Sequence, residues 1–363
     1  MKIGIMTFHR AANYGAVLQA YALQLYLTKM GNELEIMDYR CTAIENVHSP
    51  LYFLYVKGLK NKMKQFLRLP VKLRKRKMFN DFLDRKIPLS VGAGKRNTKV
   101  LLQGKYDVVI AGSDQIWNPD LIKGDMTYLL NFVPEKTVKV SYAASFGIDR
   151  LDVKTMALYK KYIDRFDKLS VREQQGVAII KDLCNKEVIS TIDPTLLLGK
   201  GDWESFVTVP ECNNYILLYM IEYSDKLIHI AQRLAEKKGK QLLFISDSML
   251  RKRGIKYVIS ATPEEWTGLF YHAACVVTNS FHGTAFSINF NKKVIIGLSD
   301  LEQNGNTRIT SLLDDLAIEY DCEDSIIDLS KDMNWDSVNV MLDALREDSY
   351  RFLQFADERK GTI

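Results

Sequence analysis

Four short stretches of this sequence set reactive side chains beside turn-forming residues. The first is Thr278-Asn279-Ser280-Phe281-His282-Gly283. An apolar run ends at Thr278 and helical spacing begins near Gly283, so Asn279 or Ser280 would cap a helix there. The free N–H groups of such a helix start favour a phosphate or carboxylate. His282 would stand at the same spot, placed to give a proton or to hold the anion. The competing reading is a histidine that only caps or packs.

The second stretch is Gly112-Ser113-Asp114-Gln115-Ile116-Trp117-Asn118. Gly112 lets the backbone turn after the apolar run 107–111. Asp114 would serve as a base for a sugar hydroxyl, and Trp117 as a platform for a sugar face. The plainer alternative is a turn capped by Asp. The third is Ser170-Val171-Arg172-Glu173. The planar fork of Arg172 suits a carboxylate or phosphate, unless it forms an ordinary surface pair with Glu173. The fourth, Asn13-Tyr14-Gly15, follows the first apolar run. It lacks G-x-G-x-x-G, and no G-x-x-x-x-G-K-[ST] or H-E-x-x-H occurs. A dinucleotide fingerprint, a P-loop and a zincin site are therefore unsupported. The five histidines lie far apart, so a metal site is likewise unsupported.

These loops need strands and helices to hold them. Residues 2–7, 107–111, 138–144, 169–171 and 188–192 read as buried strands, with helices over 16–29 and 151–166 between them. A second alternating series follows, with strands at 215–221, 241–245, 257–260, 275–278 and 294–297 and helices at 225–238, 263–271 and 283–289. Helices over 308–316 and 335–355 complete it. The expected fold class is α/β, with two Rossmann-like domains facing a cleft. Ligands of open parallel sheets sit beyond the carboxyl ends of the strands, where these loops lie. The expected division is an N-terminal domain over 1–200, a linker over 199–214, and a C-terminal domain over 210–335. The last helix, within 336–363, would pack back on the N-terminal domain.

The 363 residues are 47% hydrophobic and 26% charged, which fits a globular chain of two domains. The start of the chain is too short in apolar residues for a signal peptide, and no apolar run reaches membrane-spanning length. Five scattered cysteines with no C-x-x-C speak against a disulfide framework, and the cytoplasm is the expected compartment. The net charge of +6 is unevenly spread. Ten Lys/Arg residues and no acid fall between Lys57 and Lys77, while 314–336 is acidic. The basic stretch belongs to a helical insertion over 51–86 broken at Pro70. It suits an anionic membrane surface, at the inner face of the cytoplasmic membrane, through residues 51–77, or else is a solvated face. No nucleic-acid-binding module accompanies the charge, so nucleic acid is not an expected partner.

Together the motifs resemble the polysaccharide pyruvyl transferase family. Gly4-Ile5-Met6-Thr7 with Asn13-Tyr14-Gly15-Ala16-Val17-Leu18-Gln19 is similar to its opening strand, loop and helix. The Gly112–Asn118 run, Ser170-Val171-Arg172-Glu173, Asp193-Pro194-Thr195 and Ser280-Phe281-His282-Gly283 resemble later motifs in the family's order. The resemblance implies a GT-B-like fold and phosphoenolpyruvate as co-substrate, with no other cofactor. It implies a pyruvate ketal formed on a cell-surface glycan or a lipid-linked oligosaccharide precursor. His282 and Asp114 would be catalytic. Arg172, Ser280, Gly283, Arg308 and Lys292 would bind the donor, and Asn13, Tyr14 and Trp117 the acceptor. Many members carry Arg where Ser280 stands here. Arg308 is the first substitute for that cation, and Lys292 or Lys293 the second. Two further readings compete: a GT-B nucleotide-sugar glycosyltransferase, weakened by the lack of two Glu residues eight apart, and a catalytically lapsed glycan-binding protein, favoured by Ser280.

Overall fold

The computed structural model describes residues 1–48, 58–91, 98–102, 105–248, 251–299, 306–331 and 333–354. The N-terminal half is built on β1 (Lys2–Met6), β2 (Glu33–Ile36), β3 (Val108–Ala111) and β4 (Val138–Ser141), in the order β2-β1-β3-β4 and all parallel. Two short parallel strands, β5 (Ser170–Val171) and β6 (Ile189–Ser190), extend it through bridges from Val140 to Lys168 and from Ala144 to Val171. The side chains of β3 are buried along its whole length. Sheets covered on both faces are built from such unbroken apolar runs. The strand order reverses direction between β1 and β3, so the loops after these two strands flank a crevice.

The C-terminal half repeats the plan. Strands β7 (Ile216–Tyr219), β8 (Leu242–Ile245), β9 (Ile255–Val258), β10 (Cys275–Thr278) and β11 (Lys293–Gly297) are parallel in the order β11-β10-β7-β8-β9. This order reverses between β7 and β10. Asn279 ties the two loops there, accepting from Ile221 N at 2.8 Å and donating to Glu222 O at 2.7 Å. Two antiparallel strands, β12 (Cys322–Glu323) and β13 (Ile326–Leu329), lie beyond β11. They were not expected from the sequence, because they sit in its acidic stretch.

One hydrophobic cluster runs through both halves, from Ile3 and Val17 by way of Trp203 to Trp266, Phe286 and Leu353. The expected linker, 199–214, takes part in it. It opens with a short helix, Lys200–Glu204, and Trp203 is fully buried against Phe206 and Phe286. The segment is thus a wedge rather than an open tether. The helix Trp335–Leu353 buries Leu342 and Leu353, and Phe352 approaches Tyr142 of the N-terminal half. Its Arg346 donates to Leu196 O at 2.7 Å and to Asn289 Oδ1 at 2.8 Å. Residues 355–363 of the expected last helix lie outside the described residues.

The basic insertion forms two helices, Leu59–Leu67 and Leu69–Lys86. The break falls at Arg68. Pro70 lies in the first turn of the second helix, where its missing N–H has no partner to lose. Residues 51–57 of the expected insertion lie outside the described residues. Among the described residues, no helix is long and apolar enough to cross a membrane.

Candidate active site

The loops after β1, β3, β5, β6 and β10 converge, and a buried carboxylate stands where they meet. Asp193, just beyond β6, is 1% exposed. Its Oδ2 accepts from Arg172 Nη1 at 2.7 Å and from Ser113 Oγ at 3.1 Å, and lies 3.6 Å from His282 Nε2. Its Oδ1 accepts from the N–H and hydroxyl of Thr195, capping a short helix start. Burial alone would raise this carboxyl's pKa. His282, Arg172 and the Thr195 N–H overcome that and hold it far below the usual carboxylate range.

Arg172 follows β5 directly and is 5% exposed, so it does not form a surface pair. Burial works against its charge, but Asp193 and then Glu173 more than offset this and raise its pKa. Glu173 Oε2 stands 3.8 Å from Arg172 Nε. Glu173 Oε1 is held by Ser145 Oγ and the N–H groups of Phe146 and Gly147. The Arg172 guanidinium lies 4.4 Å from the centre of the Phe281 ring.

Arg308 comes from the helix Asn306–Asp315, and its guanidinium lies 5.9 Å from the same ring. With the Gln115 amide oxygen turned toward it, Arg308 donates from Nη1 at 2.9 Å and Nη2 at 3.1 Å. Burial, and next the like charge of Arg172, push Arg308 down to about 10. Two guanidinium groups therefore flank one aromatic ring, each from a different half. Buried polar atoms without a hydrogen bond gather here: Arg172 Nε and Nη2, Arg308 Nε, Glu173 Oε2 and His282 Nε2. Unpaired buried N–H groups of this kind are costly unless a ligand meets them.

His282 lies in the first turn of the helix Phe281–Asn289. Ser280 caps that helix, accepting from Gly283 N at 3.2 Å. The Gly283 N–H is thereby occupied, so Ser280 and Gly283 shape the helix start rather than present that donor. Gly283 is close to Thr278, whose Oγ1 would meet an added Cβ at 2.4 Å. Across the crevice, Asn13 caps the helix Tyr14–Lys29.

Asp114 stands at the β3 end with a φ of 77°, a left-handed conformation that costs a non-glycine residue energy and often marks functional loops. Its Oδ1 accepts from Gln115 N at 2.9 Å. A cavity of about 690 Å³ is lined by Asp120, Lys123, Asp149, Arg150 and Asp152 among others, from the segments that follow β3 and β4. Gly147, next to the lining residue Ile148, packs against Gln115.

Three candidates from the sequence stand elsewhere. Trp117 is fully buried, with its ring N–H donating to Tyr128 O, so it offers no face to a sugar. Tyr14 is 3% exposed, stacks on Trp266 and donates its hydroxyl to Ala261 O at 2.7 Å. It joins the two halves instead of meeting an acceptor. Lys292 precedes β11 and so sits at the amino end of that strand, near Tyr271. The cluster lies beyond the carboxyl ends. The sequence offers Asp193 and Gln115 only as members of their motifs. Asp193 could have been singled out as an acid at the end of a strand.

Residues 13–299, most of the chain, match the family model described as polysaccharide pyruvyl transferase. Comparison with curated protein sequences gives no match. Among solved structures, the chain is similar to UDP-GlcNAc 2-epimerase from Neisseria meningitidis bound to UDP-GlcNAc. The TM-score is 0.47 and the identity 10%, covering 98% of this chain and 94% of that one. UDP-GlcNAc 2-epimerase from Methanocaldococcus jannaschii, in complex with UDP-GlcNAc and UDP, gives 0.43 and 12%, covering 96% and 100%. Arabidopsis thaliana UGT89C1 complexed with UDP gives 0.44 and 12%, covering 96% and 94%. With its two Rossmann-like units meeting at a shared crevice and its motifs matched over most of its length, the chain belongs to the polysaccharide pyruvyl transferase family.

Proposed function

We propose that the protein transfers the enolpyruvyl carbons of phosphoenolpyruvate to two hydroxyls of a sugar, in a cell-surface glycan or its lipid-linked precursor, forming a pyruvate ketal. The observation that carries this reading is the pair of guanidinium groups on the Phe281 ring with His282 beside them and three unpaired N–H-bearing nitrogens among them. A small ligand with both a carboxylate and a phosphate meets that need. Arg308 then supplies the cation that many family members carry where this chain has Ser280.

In the reaction the methylene carbon of the donor gains a proton and becomes a methyl group. One sugar oxygen bonds to the central carbon, and the second displaces phosphate from it. Of the two hydroxyl protons lost, one balances the methyl proton and the other leaves with phosphate. His282 is assigned as the acid or the phosphate ligand, and Asp114 as the base for the attacking hydroxyl. The acceptor approaches along the loop that carries Asp114. Closure of the halves keeps out water, which would otherwise compete with the sugar.

The test is a thermal shift with phosphoenolpyruvate against a panel of nucleotide sugars, followed by turnover of His282→Ala. Stabilisation by phosphoenolpyruvate alone and loss of transfer in a folded variant are expected. Stabilisation by a nucleotide sugar instead, or wild-type turnover in the variant, overturns the proposal.

A further inference from the structure

The chemistry above makes no use of the two-helix arm, Leu59–Leu67 and Leu69–Lys86. The far end of the arm is anchored. Phe79 and Phe82 are buried, packed on Tyr14, Tyr21 and Phe206. Lys75 reaches Asp247 and Arg85 reaches Glu264, each at 3.2 Å, so the arm lies against the C-terminal half as well.

The near end has a different character. Met63, Phe66, Leu67 and Leu73 are 55%, 52%, 54% and 51% exposed. Spacings of three and four residues put Met63, Phe66 and Leu67 on one side of their helix. Lys62, Arg74, Arg76 and Lys77 are exposed around them. The first acid in the arm after Gly58 is Asp81, past the exposed apolar residues. An apolar row whose charged neighbours along the arm are all cations fits a surface that offers anionic groups over hydrocarbon. Nucleic acid would meet the cations but leave the apolar row in water.

We infer that this arm docks the protein on an anionic phospholipid bilayer. Met63, Phe66, Leu67 and Leu73 enter the boundary between headgroups and acyl chains, and the neighbouring Lys and Arg side chains meet the headgroup phosphates. The arm also borders the crevice. Lys75 lies 5.4 Å from the centre of the Tyr14 ring, and the next residue, Gly15, touches His282. Docking therefore brings the crevice to the bilayer surface. The inference stands apart from the pyruvyl-transfer reading, because its measurement is lipid binding and not turnover.

The test is co-sedimentation of the full chain with phosphatidylcholine vesicles carrying about one-third phosphatidylglycerol, and with phosphatidylcholine vesicles alone. Binding to the anionic vesicles that falls with added salt is expected. Arg74→Gln and Lys77→Gln should each weaken it roughly fivefold. The pair Met63→Ser and Leu67→Ser should weaken it at unchanged charge, with the melting temperature retained. Equal binding to both vesicle types, or indifference to both sets of variants, overturns the inference. So does tighter binding of a short RNA than of the anionic vesicles. A dimer in gel filtration that Met63→Ser with Leu67→Ser dissolves would assign the face to a second copy of the chain instead.

Discussion

Gly15 of the N-terminal half and His282 of the C-terminal half touch so closely that a Cβ added to Gly15 would stand 2.1 Å from His282 Nδ1. Each belongs to the first turn of a helix that starts at the crevice. In an ordinary helix interior Ala is better than Gly by about 1 kcal/mol. Here the clash reverses that sign. Gly15→Ala should lose roughly 1–3 kcal/mol of stability, and turnover should fall further because His282 is displaced. Chemical denaturation and steady-state rates check this; a stabilised variant with normal turnover would contradict the contact.

Asp193→Asn should be among the most destabilising conservative changes in the molecule, since it takes from the buried Arg172 the closer of its two carboxylate partners and leaves only Glu173. Breaking a buried pair in this way costs about 3–5 kcal/mol. The pH dependence carries a second signature. The folded-state pKa of Asp193 is depressed, so its stabilising contribution is complete at neutral pH. That contribution fades as the pH falls below the ordinary carboxyl value of about 4. Urea unfolding at neutral and acidic pH should show a steeper acid loss in the wild type than in Asp193→Asn.

Arg308 and Gln115 should separate charge from orientation. Arg308→Ala removes a charged donor, worth about 1.5–3 kcal/mol, and should lower kcat/KM for phosphoenolpyruvate roughly 10- to 150-fold. Gln115→Glu leaves Arg308 in place but supplies a carboxylate that competes with the donor for it, so KM should rise. Initial rates over a range of phosphoenolpyruvate concentrations distinguish the two effects, and a lowered KM in Gln115→Glu would count against the assignment.

Tyr14→Phe removes the hydroxyl that donates to Ala261 O. It should cost about 1 kcal/mol of stability and leave the KM for the acceptor glycan unchanged, because the ring is enclosed between the halves. A selective rise in acceptor KM would return Tyr14 to the acceptor site.

The strands were legible because runs such as Asp-Val-Val-Ile-Ala at 107–111 are what a sheet buried on both faces requires. Arg172, Asp114 and His282 stood out because each closely follows such a run. The roles of Trp117 and Tyr14 were not legible. An aromatic ring that would stack on a sugar has the same composition as one that fills a core, and only burial separates the two. Lys292 was misplaced despite a usable signal, since it precedes its strand. The β12–β13 pair was hidden because a short strand near the sheet edge with one face toward water, such as Ile326–Leu329, does not form an unbroken apolar run, and β12 has only two residues, both exposed. The grip of Gln115 on Arg308 joins residues far apart in sequence, and no local pattern announces it.

Arg346 has a consequence for the order of events in the cell. Its guanidinium ties Leu196, three residues past Asp193, to Asn289, the last residue of the helix that bears His282. Translation is vectorial, so Arg172, Asp193 and His282 have all left the ribosome before this tie is made. A nascent chain at that stage holds every reactive group of the crevice, and its halves are tied by Asn289 to Thr195 O and Leu198 O and by Tyr14 to Ala261 O, but not yet by Arg346. Premature release upstream of Arg346 would therefore yield a protein with its reactive groups present and one of the ties between its halves missing.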